Sequence, residues 1–361
     1  MNKSPWPEGN ALVYCQGAFN TTYGKTAHGL VRFTRRYRVL GVVDSRYAGQ
    51  DAGLVLDGKP AGIPLVASIQ DGIKTALAAG LKPSHLVIGI APDGGRLSPE
   101  VRQAVLQAID LGLHIDSGLH DFLSLDREMA QAAAGKGVHL RDVRMPPPRE
   151  RLHFFSGQIE EVKALKIAVL GTDSAVGKRT TAWLLVQALQ GAGFRTEMIG
   201  TGQTAWMQGA RYGIIMDSLV NDFVSGEIEH AVFTAWQEAK PQAIVLEGQG
   251  SLMNPAYPGG FEILAAGRPD LVILQHAPAR LEYDGFPGYP IQPLGKQIQL
   301  IELLSGKPVI AITINHEAMS LGDIPAIAAA IKQVTGLPAV DVLCSGANEL
   351  VKLLKPYLEK G

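Results

Sequence analysis

The sequence predicts two α/β domains in one chain, each a mainly parallel sheet flanked by helices. Three observations predict this. Short β-branched runs alternate with longer amphipathic segments, three consecutive prolines interrupt the alternation, and it then resumes around a glycine-rich strand-to-helix turn. Uninterrupted apolar strands separated by helices belong to parallel sheets covered on both faces.

The first series of strands reads "ALVYCQG", "RVLGVVD", "HLVIGIA" and "GLHIDSG", with helical segments such as "PEVRQAVLQAIDLG" between them. The second reads "LKIAVLGT", "RTEMIGTG", "QAIVLEGQG", "DLVILQHA" and "KPVIAITIN". Between them lies "MPPPRER", residues 145–151. Its prolines cannot sit inside a helix or a central strand, so the domains are expected at 1–150 and 151–361.

Bulk properties narrow the function. The 361 residues suffice for two cores, and 46% of them are hydrophobic, which excludes a mainly disordered chain. Lys and Arg total 33 against 34 Asp and Glu, so the net charge is −1 and no surplus exists to neutralise a nucleic-acid backbone. The partner is expected to be a small molecule, with neither nucleic acid nor a membrane, and a homo-oligomer is left open. "MNKSPWPEGN" lacks the apolar core of a signal peptide, and no apolar stretch approaches the ~20 residues that span a bilayer. A cytoplasmic protein is expected. The two cysteines, Cys15 and Cys344, adjoin strand-like runs and read as buried free thiols.

"GTDSAVGKRTT", residues 171–181, carries the most chemistry. It joins a buried strand to a helix whose Trp183, Leu184, Val186 and Leu189 share one broad face. Backbone N–H groups at such a turn, with the helix N-terminus, make an anion site. Gly171, Thr172, Asp173, Ser174, Ala175, Val176, Gly177, Lys178, Arg179 and Thr180 are therefore expected to hold a phosphate-bearing ligand, giving the second domain a P-loop NTPase-like fold. The loop resembles that of dethiobiotin synthetase and its relatives, where Ser or Thr follows the lysine and binds Mg²⁺. Here Arg179 intervenes, and its cationic side chain cannot ligate a metal. No resident metal is expected.

Further polar residues collect at predicted strand ends, the edge of an α/β sheet where ligands bind. Glu247 ends "AIVLEGQG", and Asn315 closes "VIAITIN" where related folds read a nucleotide base; either also fits a structural role. Thr201, Gln203, Thr204, Asp217, Gln249, Ser251 and Arg280 are expected around the substrate, the arginine pairing a carboxylate. Glu247, Asp222 and His276 are the candidate bases. Backbone N–H groups near Gly248 to Gly250 are candidates for an oxyanion hole. In the first domain, Gly24-Lys25-Thr26 is spaced too widely from Gly17 for a normal phosphate loop. Asp44 ends the second strand as in dinucleotide-binding folds, but the first turn lacks GxGxxG, and "APDGGRLSP" offers another glycine-rich turn before a helix.

Together, "HFFSGQI", "GTDSAVGKRTT", "GTGQTAW", "DSLVNDFVSGEIEH" and "LEGQGSL" resemble the DgcN-type D-glutamate N-acetyltransferase family over nearly the whole chain. The resemblance implies a Rossmann-like N-terminal domain, a P-loop C-terminal domain, and acetyl transfer from acetyl-CoA to the α-amine of D-glutamate or a similar amino acid. Coenzyme A carries a pyrophosphate and a 3′-phosphate, and acyl transfer needs no phosphoryl transfer, so Lys178 and Arg179 would supply the countercharge that Mg²⁺ supplies elsewhere. A Mg-ATP-dependent ligase or carboxylase and a non-catalytic nucleotide-binding sensor are the alternatives.

Overall fold

The computed structural model describes residues 7–359. These form two compact units: residues up to Pro146 together with Gln203–Gly209, and Pro147–Gly202 together with Ala210 onward. The division thus falls inside the proline run. The second unit is not one continuous stretch, however, which differs from the expected 151–361.

The first unit contains β1 (Gly9–Tyr14), β2 (Tyr37–Val43), β3 (Leu65–Val66), β4 (His85–Ile88), β5 (His114–Ser117) and β6 (Leu140–Asp142). They form one parallel sheet in the order β3-β2-β1-β4-β5-β6. The order reverses beside β1, as in a Rossmann-like fold. Apolar side chains alternate to two cores: Leu12, Leu86 and Ile115 on one face, and Ala11, Val13 and Val87 on the other. The helix Pro99–Asp110 falls within the expected segment, with Ser98 accepting from the Val101 N–H and proline in the first turn.

The helix Gln203–Gln208 packs into this unit because its side chains find partners there. Met207 is fully buried in the core formed with Val13 and Val87. Thr204 and Thr26 hydroxyls lie 2.9 Å apart, and the Gln208 amide donates to the Gly29 and Phe33 carbonyls. The Arg36 guanidinium stacks 3.5 Å over the Trp206 ring and donates to its carbonyl.

The second unit contains β7 (Leu165–Gly171), β8 (Thr196–Gly200), β9 (Tyr212–Gly213), β10 (Ala243–Glu247), β11 (Leu271–His276), β12 (Val309–Ile314) and β13 (Ala339–Val340). They form a parallel sheet in the order β13-β12-β11-β7-β10-β8-β9. β7 is central, with Gly171 paired to Gln275 of β11 and Val169 paired to Glu247 of β10. This register brings the phosphate loop, Glu247 and His276 to one sheet edge. The helix Lys178–Gly191 buries Trp183, Leu185, Val186 and Leu189, while Leu184, expected on the inner face, is only half-buried.

No helix among the described residues is long and apolar enough to cross a membrane. Cys15 is buried as expected, and burial raises its thiol pKa. Cys344 is exposed, contrary to expectation. It sits on the short helix Val342–Ser345 after an edge strand, beyond the sheet's apolar cover.

Candidate phosphate-binding site

The loop between β7 and the helix Lys178–Gly191 is shaped by three small residues. Ala175 and Gly177 both adopt positive φ, +52° and +104°, turning the chain so that the helix begins at Lys178. Gly171 leaves room for the lysine stem: a Cβ there would lie 2.8 Å from Lys178 Cδ and 2.9 Å from Val176 Cγ2. The buried Lys178 ammonium donates to the carbonyls of Asp173 and Gly250, each at 2.7 Å. A cation is thereby fixed inside the loop's concavity.

Gly250 is needed at its position. Its φ is +50°, and a Cβ would meet the Tyr257 carbonyl oxygen at 2.0 Å. That close approach folds the segment after β10 so that the Gly250 carbonyl faces Lys178. Gly248 likewise has no room for a side chain, since a Cβ would lie 2.4 Å from the Val169 oxygen.

Glu247 is buried at the end of β10. Its carboxylate accepts from the Thr201 N–H at 2.8 Å, and the Thr201 hydroxyl donates to the Glu247 carbonyl at 3.2 Å. Burial raises the carboxyl pKa, opposed by the charges of Arg179 and Lys178 and by the bonds from Thr201. The Gln249 amide donates to the Thr201 carbonyl at 3.0 Å. Thr201, Glu247, Gln249 and the cationic pair therefore form one cluster beside the loop.

Two domain models cover most of the chain, and their descriptions agree with this geometry. Residues 153–351 match "Domain of unknown function (DUF1611_C) P-loop domain", and residues 45–146 match "(DUF1611_N) Rossmann-like domain". The chain belongs to the DUF1611 family. Curated relatives of this DUF1611 chain include a "D-glutamate N-acetyltransferase" of Tritonibacter scottomollicae, 30% identical over 78% of this chain and 84% of the relative. Another so named, from a Pseudoalteromonas species, is 28% identical over 76% and 82%. A crystal structure of a DUF1611 protein from Anabaena variabilis superposes with a TM-score of 0.86 at 26% identity, covering 96% of this chain and 99% of that one.

Several residues of the DUF1611 chain have structural commitments that their positions in sequence did not reveal. Asp173 is fully buried, and its carboxylate accepts from the Ser174 N–H, the Asn254 amide, the Arg280 guanidinium and the Asp284 N–H, all at 2.7–2.8 Å. Arg280 was expected to pair a substrate carboxylate. Instead its fork holds Glu317 at 2.6 and 2.8 Å while its third nitrogen holds Asp173 and the Ser174 carbonyl. Asn315 bonds Glu317 through both its amide and its side-chain oxygen. This Asp173–Arg280–Glu317 chain braces the loop from outside. Asn254, seven residues past β10, and Glu317, three past β12, carry no motif that marks them as partners of Asp173 and Arg280.

Other expected site residues separate. Gln203 and Thr204 belong to the first unit, where Thr204 bonds Thr26. Asp217 lies exposed in a turn, and Asp222 exposed at the start of the helix Asn221–Ala239. The Gly248 N–H donates to the Val169 carbonyl at 3.0 Å, which removes it from a candidate oxyanion hole. Thr180 sits half-buried on the first helical turn, whereas the next hydroxyl, Thr181, donates to Gln275. Ser251 is buried beside the loop, and its hydroxyl makes no hydrogen bond among the described residues. Asp44 also departs from a ribose-binding role: its oxygens accept from Arg46 and from the Phe19 N–H.

His276 lies at the end of β11, its Nδ1 3.0 Å from the Thr172 hydroxyl. Burial lowers its pKa from 6.5 to about 4, so the ring is neutral at pH 7 and weakly basic. The unfolded chain binds this proton below pH 6.5 and the folded chain does not until about pH 4. The neutral ring's contribution is thus fully present above pH 6.5 and is lost as pH falls toward 4, by at most about 3 kcal/mol. His276→Asn should flatten the decline in unfolding free energy across that window. Urea unfolding at pH 7, 6, 5 and 4.5 checks it, and parallel curves for the two proteins would refute it.

Proposed function

We propose that this DUF1611 chain is an N-acetyltransferase moving the acetyl group of acetyl-CoA to the α-amine of D-glutamate or a similar amino acid. The observation that carries the reading is the phosphate loop itself. It holds a buried lysine and follows it with Arg179, where a magnesium-binding loop would carry a hydroxyl. Two cationic side chains suit the pyrophosphate or 3′-phosphate of coenzyme A without a bridging metal. The names of the two curated relatives supply the reaction class and the acceptor.

In this reading the acceptor's ammonium first loses a proton, and its nitrogen then attacks the thioester carbonyl. The tetrahedral intermediate collapses to the amide and expels the thiolate of coenzyme A, which takes up a proton. Glu247 is the best-suited base of the three candidates. Burial pushes its carboxyl above its ordinary value, which strengthens it as a base, whereas burial pushes His276 down to about 4 and its ring is tied to Thr172. Asp222 is exposed on a helix.

The ligase alternative needs a Mg²⁺ ligand near the loop, for which Thr180, Asp173 and Glu247 are the side chains at hand. The Asp173 carboxylate already accepts four hydrogen bonds. Release of free CoA thiol from acetyl-CoA and D-glutamate, measured in magnesium-free buffer, tests the proposal. Turnover without magnesium is expected, and Arg179→Thr should raise the KM for acetyl-CoA at least ~10-fold through the lost charge-assisted contact. Product formation only with ATP and Mg²⁺ would favour the ligase.

A further inference from the structure

We propose that His316, Asp341 and Cys344 form a binding site for one divalent, thiophilic metal ion, of which Zn²⁺ is the representative. The three residues come from two loops at the sheet edge. His316 follows β12, Asp341 follows β13, and Cys344 lies on the short helix that Asp341 caps. One ligand atom from each of the three, an imidazole nitrogen, a carboxylate oxygen and the cysteine Sγ, lies within 4.8 Å of the other two. Imidazole, carboxylate and thiolate together suit Zn²⁺, with the fourth position left to solvent on the exposed cysteine side.

Convergence on one ring nitrogen distinguishes this cluster from a proton relay. A relay from carboxylate to imidazole to thiol uses both imidazole nitrogens, one for each neighbour. Here Asp341 Oδ2 lies 2.5 Å and Cys344 Sγ 3.7 Å from the same atom, Nδ1. A ring nitrogen carries one proton or one lone pair, so it cannot serve both neighbours well. A metal ion between them can serve all three. Ligand bonds of about 2.0–2.3 Å at tetrahedral angles place the donors roughly 3.4–3.6 Å apart. The Nδ1–Sγ separation already fits, and Nδ1–Oδ2 must open by a little under ~1 Å, within reach of the half-buried imidazole.

The carboxylate is oriented for this task. Asp341 is buried, and its Oδ1 accepts from the Leu343 and Cys344 N–H groups at 2.9 and 3.2 Å, which turns Oδ2 toward His316. A neutral imidazole, a carboxylate and a thiolate would offset the charge of a divalent ion. His316 also adjoins Glu317, the partner of Arg280, so a bound ion would steady the segment that braces the phosphate loop.

The full chain, stripped of metal by chelation and dialysis, should bind one equivalent of Zn²⁺ in titration calorimetry. With Co²⁺ as probe it should develop a thiolate-to-metal absorption band. Cys344→Ser should abolish the band and weaken Zn²⁺ binding at least ~100-fold, beyond what loss of an outer-sphere partner costs. His316→Ala should weaken it comparably. Neither side chain belongs to a hydrophobic core, so both variants should keep the wild-type circular dichroism. Affinity should fall with falling pH because the ligands must be deprotonated. Failure of the wild type to bind one equivalent, or equal affinity in Cys344→Ser, would overturn the proposal.

Discussion

Glu247→Gln is expected to lower kcat at least ~100-fold while leaving KM for acetyl-CoA little changed, the signature of a lost general base rather than a lost contact. Glutamine keeps the shape of the side chain and an oxygen able to accept from the Thr201 N–H, so the fold should survive. The pH profile provides a second readout. Burial raises the Glu247 carboxyl above the ordinary value of 4.5, so wild-type kcat should fall on an acidic limb displaced upward from that value. The limb should vanish in the residual activity of the variant. Normal turnover in Glu247→Gln would move the proton transfer to another group and leave Glu247 the task of holding Thr201.

Asp173→Ala should destabilise the protein by about 3 kcal/mol or more, the range found when one partner of a buried ion pair is removed. Four donors converge on this carboxylate, and alanine would strand the Asn254 amide and the Asp284 N–H and leave the third nitrogen of Arg280 only the Ser174 carbonyl. Glu317 still neutralises Arg280, which keeps the expected loss toward the lower end. Asp173→Asn retains one acceptor oxygen and should cost less. Urea unfolding at pH 7 measures both variants. A loss below about 1 kcal/mol in the alanine variant would mean that water satisfies the stranded donors.

Nine strands are legible in the sequence, and all nine are interior or long: β1, β2, β4, β5, β7, β8, β10, β11 and β12. The four that are not legible are β3, β6, β9 and β13, of two or three residues each. These four are the edges of the two sheets. An interior strand must present apolar side chains to both faces and so marks itself as a run of Val, Ile and Leu. An edge strand needs only a few backbone hydrogen bonds to its one neighbour, which leave almost no trace in side-chain pattern.

The candidate site divides along a similar line. The phosphate loop is legible because its glycines and lysine are demanded locally, by backbone conformations and by a charge at the helix start. Arg280 and Asp44 look equally suited to ligands in the sequence, at or just past a strand end. Both turn out to be held by other protein groups, Arg280 by Asp173 and Glu317, Asp44 by Arg46 and the Phe19 N–H. Whether a charged side chain faces a ligand or another residue depends on what folds against it, and those partners lie from 2 to 107 positions away.

The sequence by itself determined the two parallel sheets, the position of the phosphate loop on β7, and the substitution of Arg179 for a metal-binding hydroxyl. Periodicity, proline and glycine act through the nearest few residues, so each leaves its mark in the chain. Only the tertiary structure decided that Gln203–Gly209 completes the first unit, that the Gly250 carbonyl reaches Lys178, and that Asp173 is a brace. It also decided that Cys344 stands exposed beside His316 and Asp341. These arrangements depend on burial and on hydrogen-bond partners far apart in the chain, and such partners are chosen by packing, to which no local pattern is bound.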